Sequence, residues 1–252
     1  MRNLLFKIAF DGSAFHGWQQ QENAVTVQGE LKDAFYRLCG ENANIIGCSR
    51  TDAGVHANEY YCNVRTQSTI PCDKFPIALS SAKLPKEISV FECKEVDFDF
   101  NARFDCVKKE YIYLFENTQI HSPFLYKRAL NYPYSMDAEL MDKAAKYFVG
   151  TYDFSAFCAA DAQVKSKVRT IYDAKVERNG DIVKFTVCGN GFLYNMVRIM
   201  AGTLLYVNNG KIQYHSIPAI IESGDRKKAG ITVAPDGLYL NKVFYGGDGS
   251  EG

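Results

Sequence analysis

The 252-residue sequence contains no apolar run approaching the roughly 20 residues needed to span a bilayer, and its first stretch, MRNLLFKIAF, lacks a secretory cleavage-site pattern. A soluble protein of the cytoplasm is therefore the expectation. An excess of charge is missing as well, since 29 Lys and Arg stand against 29 Asp and Glu. That balance argues against a nucleic-acid partner, for which a basic domain is the usual footprint, unless charge is segregated on the surface. The clusters Lys108-Lys109, Lys127-Arg128, Lys165 to Arg169 and Arg226 to Lys228 permit segregation, although each would serve equally as solvated surface.

The eight cysteines (Cys39, Cys48, Cys62, Cys72, Cys93, Cys106, Cys158, Cys188) form no C-x-x-C pair, and none has a His at ligand spacing. This speaks against a zinc site or a disulfide framework and leaves reduced thiols acting as small hydrophobes. A phosphate-binding glycine loop, a dinucleotide fingerprint and metal-ligand spacing are all missing from the sequence. A linker rich in Pro, Gly or Ser, a low-complexity run and a repeat of solenoid period are missing too. The length then allows one large domain or two small ones.

What is present is a mixture of helix and hairpin signals. Strands are expected from Asn3 to Phe10, Glu59 to Thr66, Ile88 to Val96, Tyr111 to Glu116 and Gly237 to Phe244, with a hairpin from Val168 to Glu177 and Ile182 to Cys188 around an Asn179-Gly180 turn. Helices are expected after Thr26 (Val27, Leu31, Ala34, Phe35 and Leu38 at helical spacing, stopped by Gly40), from Asp73 to Lys83, and after Asp137 with Leu140, Ala144 and Phe148 on one face. Two more are expected from Phe192 to Val207 and from Ile217 to Ile221. Few βαβ intervals occur, so the fold class is α+β around a mainly antiparallel sheet.

The chain's chemistry concentrates from Gly47 to Ala57, GCSRTDAGVHA. Ala53 and Gly54 follow Asp52 directly, and a Gly after a small residue suits a turn needing positive φ, which would hold the carboxylate at a loop tip. Arg50 offers a planar fork of donors for a carboxylate or a phosphate. The same letters would also suit an ordinary surface turn. His56 is the one histidine near this stretch, as a substrate contact or a structural group. The stretch Phe15-His16-Gly17-Trp18-Gln19-Gln20 suits a loop that stacks on bases or ribose, or one whose Phe15 and Trp18 plug the core edge. Arg198, among Met196, Val197, Ile199 and Met200, needs a partner or a route to water, because unpaired buried charge is costly.

The string SRTDAGVHA closely resembles the catalytic motif of the TruA family of tRNA pseudouridine synthases, where the aspartate is the catalytic residue. Further similar stretches occur in the family's order: FDGSAFHGWQQQ from Phe10, FNARFDCVKKEYIY from Phe100, YDFSAFC from Tyr152, GNGFLYNMVRIMAGTLL from Gly189 and APDGLYLNKVFY from Ala234. The resemblance spans about Leu4 to Tyr245. It implies a pseudouridine synthase fold of two RNA-recognition-motif-like subdomains with a central cleft, here 1–104 and 105–245 with a tail at 246–252. It implies isomerisation of uridine to pseudouridine in the tRNA anticodon stem and loop, at tRNA positions 38, 39 and 40, without cofactor or metal, by a homodimer.

By the same resemblance Asp52 is the catalytic carboxylate, as nucleophile or as base, Arg50 assists base flipping and Arg198 pairs with Asp52. Tyr111, in KKEYIY, stacks on the target base and bears on proton handling at C5, besides its plain role as a strand tyrosine. Leu238, in GLYL, lines the pocket floor and on its own chemistry is core. Trp18, Gln19 and His56 complete the expected substrate contacts. Three departures stand out: Ser49 where the family commonly has Gly, Tyr60 where Gln is frequent, and Asn101 where His is frequent. The competing readings are a non-catalytic RNA-binding or RNA-folding protein using the same cleft, and a hydrolase releasing uracil.

Overall fold

A computed structural model describes residues 1–159 and 165–246. The expected tail at 246–252 lies outside the described residues except for Gly246. By its contacts the chain divides into two compact units, Met1–Val107 together with the chain from Leu240 onward, and Lys108–Tyr239. The last strand from Leu240 groups with the first unit, whereas the division implied by the resemblance carries the second subdomain on to residue 245.

In the first unit β1 (Arg2–Phe10) lies between β3 (His56–Thr66) and β4 (Ile88–Val96), antiparallel to both, with Leu5 opposite Asn63 on one side and Lys94 on the other. A short β2 (Ile45–Gly47), which the sequence pattern does not mark, pairs antiparallel with β3, Gly47 facing Cys62. The part of β10 (Leu238–Tyr245) from Leu240 follows β3. Helix α1 (Val27–Cys39) forms where its apolar spacing predicts. The Thr26 hydroxyl accepts the Gly29 N–H at its start, and Gly40 closes it in the left-handed conformation at φ 72°. It turns Val27, Leu31, Ala34 and Phe35 inward, and Phe35 and Phe6 both pack on Phe75 of α2 (Phe75–Ser81) at ring separations of 6.0 and 5.4 Å.

The second unit is built on β5 (Cys106–Glu116, here from Lys108), β9 (Ile182–Gly189), β8 (Val168–Asn179) and β7 (Gly150–Asp153), each antiparallel to the next. The two-residue β6 (Leu130–Asn131) adds to β5 in parallel. The hairpin turn falls one residue later than expected: Asn179 pairs with Ile182, leaving Gly180 (φ 57°) and Asp181 at its tip. Helix α3 (Ala138–Ala145) is capped by Asp137, whose carboxylate accepts the Leu140 N–H at 2.9 Å. Its buried face is Met141, Ala144 and Ala145, continued by Phe148, with Leu140 only half-buried.

Helix α4 (Met196–Asn208) starts four residues after the expected Phe192, because Asn195 takes a left-handed φ of 60° that an α-helix cannot include. It is buried almost all round, and α5 (Ile217–Ser223) buries Ile217, Ile220 and Ile221. Thr203, fully buried in α4, donates to the Ile199 carbonyl and accepts the Gly230 N–H, each at 2.8 Å. Beside it, a Cβ on Gly202 would lie 1.9 Å from the Ile231 carbonyl oxygen, so backbone meets backbone there with no room for a side chain.

Gly202→Ala is expected to lower unfolding stability by at least about 2 kcal/mol, at the upper range of overpacking because backbone and not a side chain must yield, as urea denaturation will show. Burial pushes the Cys62 thiol far above its ordinary range, helped by neighbouring Cys48 and Cys93. Iodoacetamide at pH 8 is therefore expected to leave Cys62 unmodified in the folded protein and to alkylate it in urea, which peptide mapping can read.

Candidate active site

In the first unit, Gly47 to Ala57 runs from the end of β2 to the start of β3, and both ends are anchored by strand pairing. Between them the chain turns at Asp52. The Val55 N–H donates to the Asp52 carbonyl at 3.2 Å and Gly54 takes φ 80°, the positive value for which glycine is suited. Asp52 is half-buried, while Arg50 and Ala53 on either side of Thr51-Asp52 are exposed. The acid thus sits at the tip of a turn with a guanidinium two residues away.

A second loop holds this turn in place. The stretch after β1 gives the Trp18 N–H to the Thr51 carbonyl at 3.2 Å and takes the Gly54 N–H on the Phe15 carbonyl at 3.2 Å. Further along, the Gly12 N–H donates to His56 Nδ1 at 3.0 Å, and Asp11 Oδ1 lies 3.2 Å from the same nitrogen. Asp11 also accepts the Ser13 N–H, so its side chain shapes the approach of this loop. Three successive ties therefore straddle Asp52, at positions 51, 54 and 56.

Of the residues singled out in that stretch, Trp18 and His56 are each only 2% exposed. Their contacts describe the core plug and the structural group, respectively. Gln19 is exposed, its amide donating to Gln28 Oε1 at 2.8 Å. Gln28, buried in the first turn of α1, also accepts the Gln20 N–H and donates to the Ile45 carbonyl, both at 2.8 Å. One buried amide thereby ties the aromatic loop, α1 and β2 together, a role invisible in a sequence where Gln28 is just a polar residue in a helix. The Thr51 hydroxyl is buried with no hydrogen-bond partner among the described residues.

In the second unit Tyr111 lies on β5 opposite Val187, 7% exposed, with its ring edge-on to Phe192 at 5.0 Å and 78°. Arg198 stands in the first turn of α4, half-buried. Its Nε donates to the Val233 carbonyl at 2.8 Å and a terminal nitrogen donates to Asn195 Oδ1 at 2.7 Å. The left-handed Asn195 that delays the helix thus also supplies a partner for the half-buried guanidinium. Burial pushes the nearby Tyr113 phenol up, while Arg198 counteracts that rise and Asp236 adds to it. The Tyr113 hydroxyl donates to the Ala234 carbonyl at 2.7 Å, next to the Val233 carbonyl that Arg198 uses. Leu238, two residues beyond Asp236, is 6% exposed.

Two of the basic clusters are partly committed to the fold. Arg226 donates to the Gly230 carbonyl and the Thr232 hydroxyl, and Arg169 donates to the carbonyls of Ser166 and Val168. Among the described residues no group of three or more His, Cys, Asp or Glu is placed to hold a metal ion, and no helix is long and apolar enough to cross a membrane.

A family model described as tRNA pseudouridine synthase matches residues 7–105 and 144–246. A protein of Acetivibrio thermocellus named tRNA pseudouridine synthase A is 49% identical over 245 residues, covering 97% of this chain and 100% of its own length. Its namesake in Caldicellulosiruptor bescii is 46% identical over 245 residues with the same two coverages. The tRNA pseudouridine synthase A 2 of Clostridium perfringens is 45% identical over 249 residues, again at 97% and 100%. Matched over most of its length by the family model and over nearly all of it by these relatives, the chain belongs to the tRNA pseudouridine synthase family.

Proposed function

We propose that this chain isomerises uridine to pseudouridine in the anticodon stem and loop of tRNA, at positions 38, 39 and 40, with Asp52 as the catalytic carboxylate. The observation that carries the reading is the position of Asp52: half-buried at the tip of a turn held by hydrogen bonds at 51, 54 and 56, in a chain whose relatives are named tRNA pseudouridine synthase A.

The reaction is internally balanced. The bond from N1 of the base to C1′ of the ribose breaks, the base turns, and C5 bonds to C1′; the hydrogen on C5 leaves and N1 gains one. A paired or stacked uridine must first leave its stem, at a cost of a few kcal/mol. Arg50, which is exposed, takes the part of contacting phosphate and assisting that step in this reading. Asp52 then acts at the sugar, where positive charge develops as the N1 bond breaks, either by attack on C1′ or by taking the 2′ proton. The Tyr111 ring gives the base an apolar stacking surface of the kind worth about 1–3 kcal/mol per base. What assigns Tyr111, Arg198 and Leu238 to the same substrate as Asp52 is their position in the family's motifs, and the pairing of Arg198 with Asp52 rests on that ground too. Buried Trp18 and His56 serve by shaping the Asp52 loop, and Gln19 is the exposed member of that group. A homodimer in the cytoplasm, built from two subdomains with a central cleft in each chain, completes the reading by analogy with the family.

Tritium release from tRNA transcripts labelled at C5 of uridine tests this directly, because C5 must lose its hydrogen when it bonds C1′. The native protein is expected to release tritium from a broad tRNA pool, and Asp52→Ala to fall by at least about a thousandfold, as removal of an essential catalytic group does. Free uracil in the reaction would instead identify a hydrolase. Tight binding without release would identify an RNA-binding protein. Affinity for tRNA is expected to fall with rising salt in a linear log–log relation, the mark of phosphate contacts displacing counterions.

A further inference from the structure

We infer that Tyr60 is a positioning residue for the Arg50-Asp52 turn, acting through its hydroxyl on the backbone of Ser49. The proposal rests on the assignment of Asp52 above and names the device that sets its geometry.

Tyr60 stands in β3, fully buried, and its ring stacks on Trp18 with centroids 4.2 Å apart and planes 27° apart. A tilted contact with Phe10, at 5.5 Å, holds the ring from another direction. The hydroxyl is therefore delivered to a fixed point by a ring that cannot swing. At that point it donates to the Ser49 carbonyl and takes the Ser49 N–H at 3.4 Å, so both backbone polar groups of one residue face the same oxygen. Gly47 leaves the space it occupies, since a Cβ there would lie 2.1 Å from the Tyr60 oxygen and 2.5 Å from the Trp18 ring.

The two members of the stack hold the turn on both sides of Arg50. Tyr60 grips Ser49 by its side chain, and Trp18 grips Thr51 by its backbone N–H. Arg50 is the exposed residue between these ties, and Asp52 follows the second. A buried hydroxyl satisfied by backbone is a rigid attachment, whereas a loop without it would keep its fold but lose its angle. Reacting groups misplaced by even about 1 Å lose large factors in rate. The hydroxyl touches no substrate; it acts by where it puts Arg50 and Asp52.

The test is Tyr60→Phe, which keeps the ring and its stacking and deletes only the hydroxyl. Single-turnover tritium release is expected to slow about tenfold, the effect of losing roughly one good hydrogen bond's worth of positioning, while tRNA affinity by filter binding stays within about twofold. Tyr132→Phe deletes a hydroxyl in the other unit, an exposed one bonded to the Asn209 side chain at 2.6 Å, and is expected to keep the full rate. An unchanged rate in Tyr60→Phe overturns the proposal. So does a loss of rate matched by an equal loss of tRNA binding, which would mark a structural role; if Tyr60→Phe unfolds, Trp18→Phe, which thins the stack behind the same hydroxyl, must show the same split of slowed rate and kept affinity or the proposal falls. An inactive native protein would instead overturn the function on which the proposal rests, so the two failures are distinguishable.

Discussion

A carboxylate at the tip of a turn has no helix or strand to fix it, and the first unit is shaped by the need to supply that fixity from elsewhere. Its backbone groups near Asp52 are matched with a second loop: the Thr51 carbonyl with the Trp18 N–H, the Gly54 N–H with the Phe15 carbonyl, His56 with the Gly12 N–H. Buried backbone and ring nitrogens must find partners, and here satisfying them doubles as positioning. The strands on either side are the fixed ends. β2 is only three residues long, yet its pairing with β3 is what sets where the turn begins.

The aromatic stack extends the same logic into the core. Trp18 and Tyr60 are large, and burying such rings supplies much of the packing energy of a small domain. Because they also touch residues 49 and 51, the packing that stabilises the unit is the packing that orients the turn. Gln28 links this cluster to α1 through three hydrogen bonds, so the most regular element of the unit braces its least regular one.

The second unit meets a different demand, a guanidinium in the first turn of a nearly all-buried helix. Two of its donors are met inside the unit, by Asn195 and by the Val233 carbonyl, which offsets the cost of taking the charge from water. The adjoining Tyr113 hydroxyl on Ala234 fixes the same strip of chain. The tight crossing of Gly202 with Ile231, two residues before Val233, shows why that strip can lie so close to α4. Arg226 and Arg169 are also bonded to protein carbonyls, so these two cations of the basic clusters help hold loops.

Periodicity and caps alone determined most of the secondary structure: α1 with its Thr26 and Gly40 ends, α3 behind Asp137, and β4 from Ile88 to Val96, because local spacing and local hydrogen bonds govern these elements. The turn at Asp52 was legible for the same reason, Gly54 being suited to its backbone, and the motif order carried the family. Only the tertiary structure decided the rest. The three-residue β2 exists by pairing with β3 and has no pattern of its own; the start of α4 is set by the left-handed Asn195; and β10 from Leu240 joins a unit whose other strands lie more than a hundred residues earlier. The partners of the site followed suit. Trp18, His56 and Tyr60 carry no sign in the sequence of how deeply they are buried, because burial depends on residues distant in the chain.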